Sequence, residues 1–300
     1  MKELVIIGAG PAGMSAALYA ARKKMDFSII TKEVGGQMVW SSDVDNYIGI
    51  RDTTGYELTK MFKEHLKAYD IKITEKEVEK IEKKDKYFVV KTKDSEIETR
   101  TVIIASGKRP RKIRATNAER FEGKGISYCA TCDAPLYPEK TVAVIGGGNS
   151  ALDAVLQLEK YASKIYLIVR RDKLRGDKFM SEKVTAMEKV EILFNSEIEE
   201  VRGENFLQKI VVKNKDESSR ELKLDGVFVE IGHETNSEII DFVEKDKQGE
   251  IKADCNCITS VDGIFAAGDI STGGAKQVVS AAGEGATALI SAYNYLNRNE

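Results

Sequence analysis

Twice along its 300 residues the chain writes the same local design: a short apolar run, a knot of small residues rich in glycine, then a helix-forming stretch. The first copy runs from Leu4 to Ile7 through Gly8-Ala9-Gly10-Pro11-Ala12-Gly13 into the Ala-rich segment from Met14 to Lys24. The second runs from Val142 to Ile145 through Gly146-Gly147-Gly148-Asn149-Ser150-Ala151 into Leu152 to Lys160. Setting Gly8 on Gly146 also sets Ile7 on Ile145, Ala16 on Ala154 and Leu18 on Leu156. Two openings of strand, tight turn and helix predict two dinucleotide-type α/β folds in one chain.

The glycine spacing answers a physical need. The first glycine turns the chain, the second lets a pyrophosphate approach the backbone, and the third lets helix and strand pack closely. The diphosphate then rests on unpaired amides at a helix N-terminus, where the dipole favours negative charge. The residues after the following strand separate the two copies, since an acid there grips a ribose and a cation grips a 2′-phosphate. After Val169 come Arg170, Arg171 and, a turn later, Arg175, a set suited to the phosphate of NADPH. The competing reading is a solvated basic loop partly neutralised by Asp172. In the first copy the expected strand ends at Ile30-Thr31 with no acid in place, although Glu33 is close, so this position leaves the nucleotide open.

Between the copies, Ile71 to Glu98 alternates β-formers with Lys and Glu and reads as an antiparallel meander with one wet face. An apolar strand follows at Val102 to Ala105, stopped by Ser106-Gly107, and a basic crossover runs from Lys108 to Arg114. Later, strands are expected at Ile165 to Val169 and near Ile192, Ile198, Ile210 and Val227, with a helix around Ser181 to Lys189. A last strand at Ile264-Phe265-Ala266-Ala267 precedes a small-residue helix from Gln277 to Leu296.

Charge excludes some partners. Lys plus Arg number 46 and Asp plus Glu 48, a balance that offers no broad positive field to nucleic acid or anionic lipid. The longest uncharged stretch, Leu4 to Ala21, is broken by Gly8, Gly10, Pro11 and Gly13 and does not read as a membrane span. With no signal-peptide pattern, the expected location is the cytoplasm, where four cysteines are too few to act as structural staples.

Cys129-Ala130-Thr131-Cys132 is followed at once by Asp133. A two-residue spacer lets the sulfurs meet in a readily exchanged disulfide, and an adjoining helix N-terminus favours the thiolate. Asp133 is the carboxylate adjoining the pair; it reads either as proton donor and acceptor for thiol exchange or as a helix N-cap. Zinc is disfavoured, because Cys255 and Cys257 lie over a hundred residues on, with one spacer residue and no histidine nearby. In an extended segment those two would share a face; they read as buried or incidental thiols, with a second redox or metal role as the alternative.

Taken in order, these motifs resemble the low-molecular-weight thioredoxin reductases along the whole chain. The FAD signature of that family is similar to Gly8-Ala9-Gly10-Pro11-Ala12-Gly13, Gly35-Gly36-Gln37, the Asp45-Asn46-Tyr47 loop and Phe265-Ala266-Ala267-Gly268-Asp269. Its redox centre resembles Cys129 to Asp133, and its NADPH signature resembles Gly146 to Ala151 with Arg170, Arg171 and Arg175. Two positions depart from the pattern: Val169 stands where His is common, and Thr235 stands where the Gly-His-x-Pro-Asn turn has Pro. The resemblance implies an α/β architecture of two Rossmann-like dinucleotide-binding domains, one inserted in the other. An FAD-binding domain would comprise residues 1–113 and 237–300, and an NADPH-binding domain carrying the cysteine pair residues 114–236. Asn46 and Lys276-Gln277 would lie near the flavin ring and Asp269 on its ribityl chain, with Thr31 and Gly107 also among the FAD-binding residues.

The activity so implied is that of a homodimeric thioredoxin-disulfide reductase, in which NADPH reduces FAD, FAD reduces the Cys129–Cys132 disulfide, and the dithiol reduces thioredoxin. A swing about crossovers near Lys112 to Thr116 and Glu234 to Ser237 would alternate nicotinamide and disulfide at one flavin. Two other readings stay open: a flavoprotein reductase of a peroxiredoxin or glutaredoxin-like protein, or one served by ferredoxin; and a noncatalytic NADPH redox sensor.

Overall fold

The computed structural model describes residues 1–41 and 44–298, which separate into two compact units: Met1–Arg109 with Glu234–Glu300, and Pro110–His233. The first unit opens with β1 (Lys2–Ala9), α1 (Pro11–Arg22), β2 (Phe27–Val34), α2 (Gly55–Lys67) and β3 (Ile73–Glu75). It continues with β4 (Val78–Lys83), β5 (Phe88–Thr92), β6 (Glu96–Ile104) and β7 (Lys108–Pro110). The second unit holds β8 (Ile126–Ser127), α3 (Ala130–Asp133), β9 (Thr141–Ile145), α4 (Asn149–Leu158), β10 (Lys164–Val169) and α5 (Lys178–Thr185). There follow β11 (Val190–Phe194), β12 (Ser196–Gly203), β13 (Leu207–Asn214), β14 (Ser219–Lys223) and β15 (Gly226–Val229). β16 (His233–Thr235), β17 (Ile264–Ala266) and α6 (Val278–Arg298) complete the chain.

In the first unit the sheet order is β3-β2-β1-β6-β5-β4, with β17 also on β6. β1, β2, β3, β6 and β17 pair in parallel, whereas β4, β5 and β6 pair antiparallel. The expected meander is therefore shorter at its start: Ile73–Glu75 joins β2 in parallel, because α2 carries the chain back across the sheet before it. β1 is buried on both faces, as a central parallel strand must be, with Leu4, Val5 and Ile6 fully covered. α1 starts on Pro11, whose fixed φ suits the first helical turn. It packs on α6 through small residues: a Cβ at Gly285 would stand 2.0 Å from the Ala12 carbonyl oxygen, so the close approach depends on its absence.

The second unit is built on a parallel sheet, β11-β10-β9-β15-β8, with a three-stranded antiparallel sheet, β12-β13-β14, beside it. One face of the parallel sheet packs Leu152 and Val155 of α4 against Val142, Leu167 and Phe228. The expected helix at Ser181 to Lys189 lies earlier, at Lys178–Thr185, because the Asp177 carboxylate caps it by accepting from the Phe179 and Met180 amides. The α/β fold class thus holds, with a strand-turn-helix opening in each unit.

Candidate functional site

In the first unit a cleft of about 820 Å³ opens at the C-terminal ends of the parallel strands. Gly8, Gly10, Pro11 and Ala12 line it together with Thr31, Gly36, Gln37, Asn46, Gly107, Gly268, Asp269, Lys276 and Gln277. Asn46 and Gln277, 231 positions apart, meet there through a 3.0 Å bond from the Asn46 amide to the Gln277 side-chain oxygen. Gly13 and Gly35 do not line the cleft; they shape it from behind. A Cβ at Gly13 would fall 1.8 Å from the Gly8 carbonyl oxygen, and one at Gly35 would strike Val39 at 2.2 Å. Gly8 itself has φ of +102°, a conformation costly for any residue with a side chain, and a Cβ on it would lie 2.2 Å from the Ala105 carbonyl oxygen.

The expected end of the second strand at Thr31 is corrected by the structure. β2 runs on to Val34 and bulges, since Ile7 pairs with Ile30 but Ala9 pairs with Val34. The Thr31 hydroxyl ties the bulge by donating to the Glu33 carbonyl at 2.7 Å, and Glu33 lines the cleft. The strand's continuation past Thr31 thus puts the acidic residue Glu33 on the cleft wall, closer to the end of the strand than the expected stop at Thr31 allowed.

The second unit repeats the turn at β9 and α4. Gly146 has φ of +144°, and a Cβ on it would lie 2.3 Å from the Glu230 carbonyl oxygen. Ala151 occupies the third position inside the core, and Ser150 is exposed. The Asn149 side chain is engaged by the chain itself, its oxygen accepting from the Asp177 amide at 2.7 Å. Beyond β10, Arg170, Arg171 and Arg175 are all exposed; the carboxylate that reaches Arg170 is that of Glu197, at 3.6 Å. Val169, at the position where His is common, is 3% exposed and packs in the core. Thr235, in place of Pro, is buried and donates to the Gly249 carbonyl at 2.9 Å.

Cys129 and Cys132 form a disulfide at the start of α3, with Cα atoms 5.4 Å apart. Cys129 is the N-cap of that helix: its sulfur accepts from the Cys132 amide at 3.2 Å. Asp133 is the last residue of α3 and stands at the N-cap position of the following turn, 134–136, without a side-chain cap bond. Its charge acts on Tyr137, whose hydroxyl pKa is raised chiefly by burial and next by Asp133.

Cys255 and Cys257 do not share a face. Cys257 sits in a turn at φ of +62°, is buried, and donates to the Glu284 carbonyl at 3.4 Å; Cys255 is exposed. Burial pushes the Cys257 thiol up to about 12, the range of an inert sulfhydryl. Among the described residues no group of three His, Cys, Asp or Glu side chains is arranged to hold a metal ion. No helix of the described residues is long and apolar enough to cross a membrane.

Two acids escaped the sequence reading. Glu250 is buried in the first unit and binds Lys108 at 2.6 Å and Lys276 at 3.5 Å, both of which line the cleft. Glu230, at the end of β15, accepts a hydrogen bond from the Ala130 amide between the two cysteines, and burial pushes its carboxyl up to about 7. The only sequence sign of Glu230 is an acid directly after a fully apolar strand, and of Glu250 none, because both acquire their partners through long-range folding.

The turns fit a dinucleotide diphosphate. A Cβ at Gly148 would meet nothing within 4 Å, and one at Gly10 only the Gly35 carbonyl oxygen at 3.8 Å, so the second glycines keep room for a ligand and not for protein packing. Residues 2–285 match the family described as pyridine nucleotide-disulphide oxidoreductase. A thioredoxin reductase from Peptoclostridium acidaminophilum is 36% identical over 307 residues, covering 99% of this chain and 98% of the relative. A component of the alkyl hydroperoxide reductase of Staphylococcus aureus is 37% identical over 303 residues; the chain spans only 59% of that protein's length. The crystal structure of Lactococcus lactis thioredoxin reductase superposes with a TM-score of 0.83 at 33% identity, covering 99% of this chain and 100% of that one. These likenesses imply a flavin and a pyridine nucleotide. With both turns, the disulfide and the full-length match in agreement, the chain belongs to the pyridine nucleotide-disulphide oxidoreductase family and is an oxidoreductase of the thioredoxin reductase type.

Proposed function

We propose that the chain is an NADPH-dependent thioredoxin-disulfide reductase, a cytoplasmic homodimer with FAD on residues 1–113 and 237–300 and NADPH on residues 114–236. The observation that carries this reading is the Cys129–Cys132 disulfide in the unit that also bears the second glycine turn and its three arginines. Bound flavin would supply a two-electron relay between a reduced nicotinamide and a disulfide.

The chain's own residues bind and orient. Gly8 and Gly10 leave the diphosphate of FAD access to the start of α1, and Glu33 takes a ribose hydroxyl. Asn46, Gln277 and Asp269 orient the other end of that ligand within the cleft. Gly146 and Gly148 receive the NADPH diphosphate, and Arg170, Arg171 and Arg175 surround its 2′-phosphate. Once the bridge is open, a thiolate of the pair attacks the acceptor disulfide, and one acceptor sulfur leaves and takes a proton, with Asp133 the adjoining donor. The second sulfur of the pair then closes the bridge again and frees the other acceptor thiol. Before that exchange, the Cys132 N–H that points at the Cys129 sulfur stabilises negative charge there.

Anaerobic titration with NADPH, followed in the visible spectrum, tests the reading. Wild type should consume more reductant than its flavin alone holds, and Cys132→Ser only the flavin's share. Flavin that NADPH does not bleach would favour a noncatalytic sensor instead. The likeness to the alkyl hydroperoxide reductase component supports a second acceptor class, a peroxiredoxin or glutaredoxin-like protein, and assays with these beside thioredoxin decide between them.

A further inference from the structure

Glu230 joins two parts of the second unit. At the end of β15, Val229 pairs with Ile145, and the Glu230 amide donates to the Ile145 carbonyl at 2.8 Å. The Glu230 carbonyl oxygen stands 2.3 Å from where a Cβ on Gly146, the first glycine of the second turn, would be. Its carboxylate meanwhile accepts from the amide of Ala130, the residue directly after Cys129, which is only 4% exposed. The Glu230 side chain is half-buried, and burial is the chief reason its carboxyl is pushed up to about 7; Asp153 on α4 pushes in the same direction and the Ala130 amide opposes. Asp133, on the same short helix as Ala130, acts on Tyr137. The remaining titratable groups of that helix segment are Cys129 and Cys132 once they are reduced.

We propose that Glu230 is a positioning and proton-storing residue of the Cys129–Cys132 couple: its carboxylate, held on the Ala130 amide, binds a proton when the disulfide opens and releases it when the pair closes. The inference rests on reading the pair as a redox centre. In the step, two electrons from the reductant break the S–S bond, one sulfur takes a proton, the other stays a thiolate, and a second proton goes to Glu230. Glu230 and the cysteine pair together then carry one negative charge in both states: on Glu230 with the bridge closed, on sulfur with it open. The new thiolate is a like charge near the carboxylate and increases its hold on a proton, which couples uptake to opening.

The test is the pH dependence of the couple in the intact flavoprotein. Wild type, Glu230→Gln and Asp153→Asn are equilibrated with dithiothreitol buffers from about pH 6 to about pH 9, alkylated, and scored by mass spectrometry at Cys129 and Cys132. Above about pH 7, wild type should change its dithiol-to-disulfide ratio tenfold more per pH unit than Glu230→Gln, one proton's worth, or about 30 mV for a two-electron couple. Asp153→Asn should move the onset of the steep region to lower pH. Equal slopes for wild type and Glu230→Gln overturn the proposal, and so does a single-proton slope in wild type throughout, which decides the matter even if the variant does not fold. Alkylation that no buffer changes, in any of the proteins, removes the redox-centre reading itself and is thereby distinguished from failure of Glu230 alone.

Discussion

The two glycine turns begin alike and part at their third position. Gly8 and Gly146 both hold a positive φ with a carbonyl oxygen where a Cβ would be, from Ala105 in one and Glu230 in the other. Five residues on, the first turn has Gly13, whose Cβ would collide with the Gly8 carbonyl, while the second carries Ala151 with its methyl inside the core. The helices differ for the same reason: α1 is pressed on its strand and also by α6 at Gly285, whereas α4 stands far enough out to take a methyl. The same nucleotide-binding logic thus tolerates two packing densities, and the looser copy has room to vary.

The sharpest way to break this comparison is to exchange the third residues. Gly13→Ala should cost at least about 3 kcal/mol, since the collision is with backbone that has nowhere to move, and should appear as lost flavin and a lower Tm. Ala151→Gly should cost less, about 2 kcal/mol at most, for helix propensity and one buried methyl. Similar losses at both sites would mean the turns are not packed differently. The second contrast is in charge at the end of the next strand, Glu33 against Arg170 and Arg171. Arg170→Ala with Arg171→Ala should raise KM for NADPH about ten- to a hundredfold with kcat little changed, and leave NADH almost untouched. Equal losses toward both nucleotides would remove the 2′-phosphate assignment. The smallest effect is expected at Glu33→Gln, which keeps one hydrogen-bonding oxygen and should weaken FAD binding about tenfold, read by titrating apoprotein with the cofactor. An unchanged affinity would show that the bulge of β2 does not serve the ribose.

The parts legible in the sequence share one property: each lies within a few residues of its own cause. Gly8 to Gly13, Cys129 to Cys132 and Arg170 to Arg175 are local designs, and a turn, a bridge or a cationic loop follows from spacing alone. The parts that the pattern misplaces depend on a partner strand or a cap. Ile73–Glu75 alternates as either a parallel or an antiparallel edge would, so only α2 before it decides its direction. Glu33 enters the cleft because β2 carries more residues than β1 between two paired positions, an excess that no pattern in β2 reveals. Cys255 and Cys257 would share a face only in an extended segment; the turn at Cys257 separates them.

What the sequence determined by itself, then, is the pair of strand-turn-helix openings, the disulfide between Cys129 and Cys132 and the positive charge beyond β10, all set by short-range geometry and residue chemistry. The tertiary structure alone brought Asn46 to Gln277, Glu250 to Lys108 and Lys276, and Glu230 to Ala130. Those meetings join residues 26 to 231 positions apart, and their reason is the order of strands in the two sheets, which places the ends of β6, β15 and β17 beside turns that lie far away in the chain.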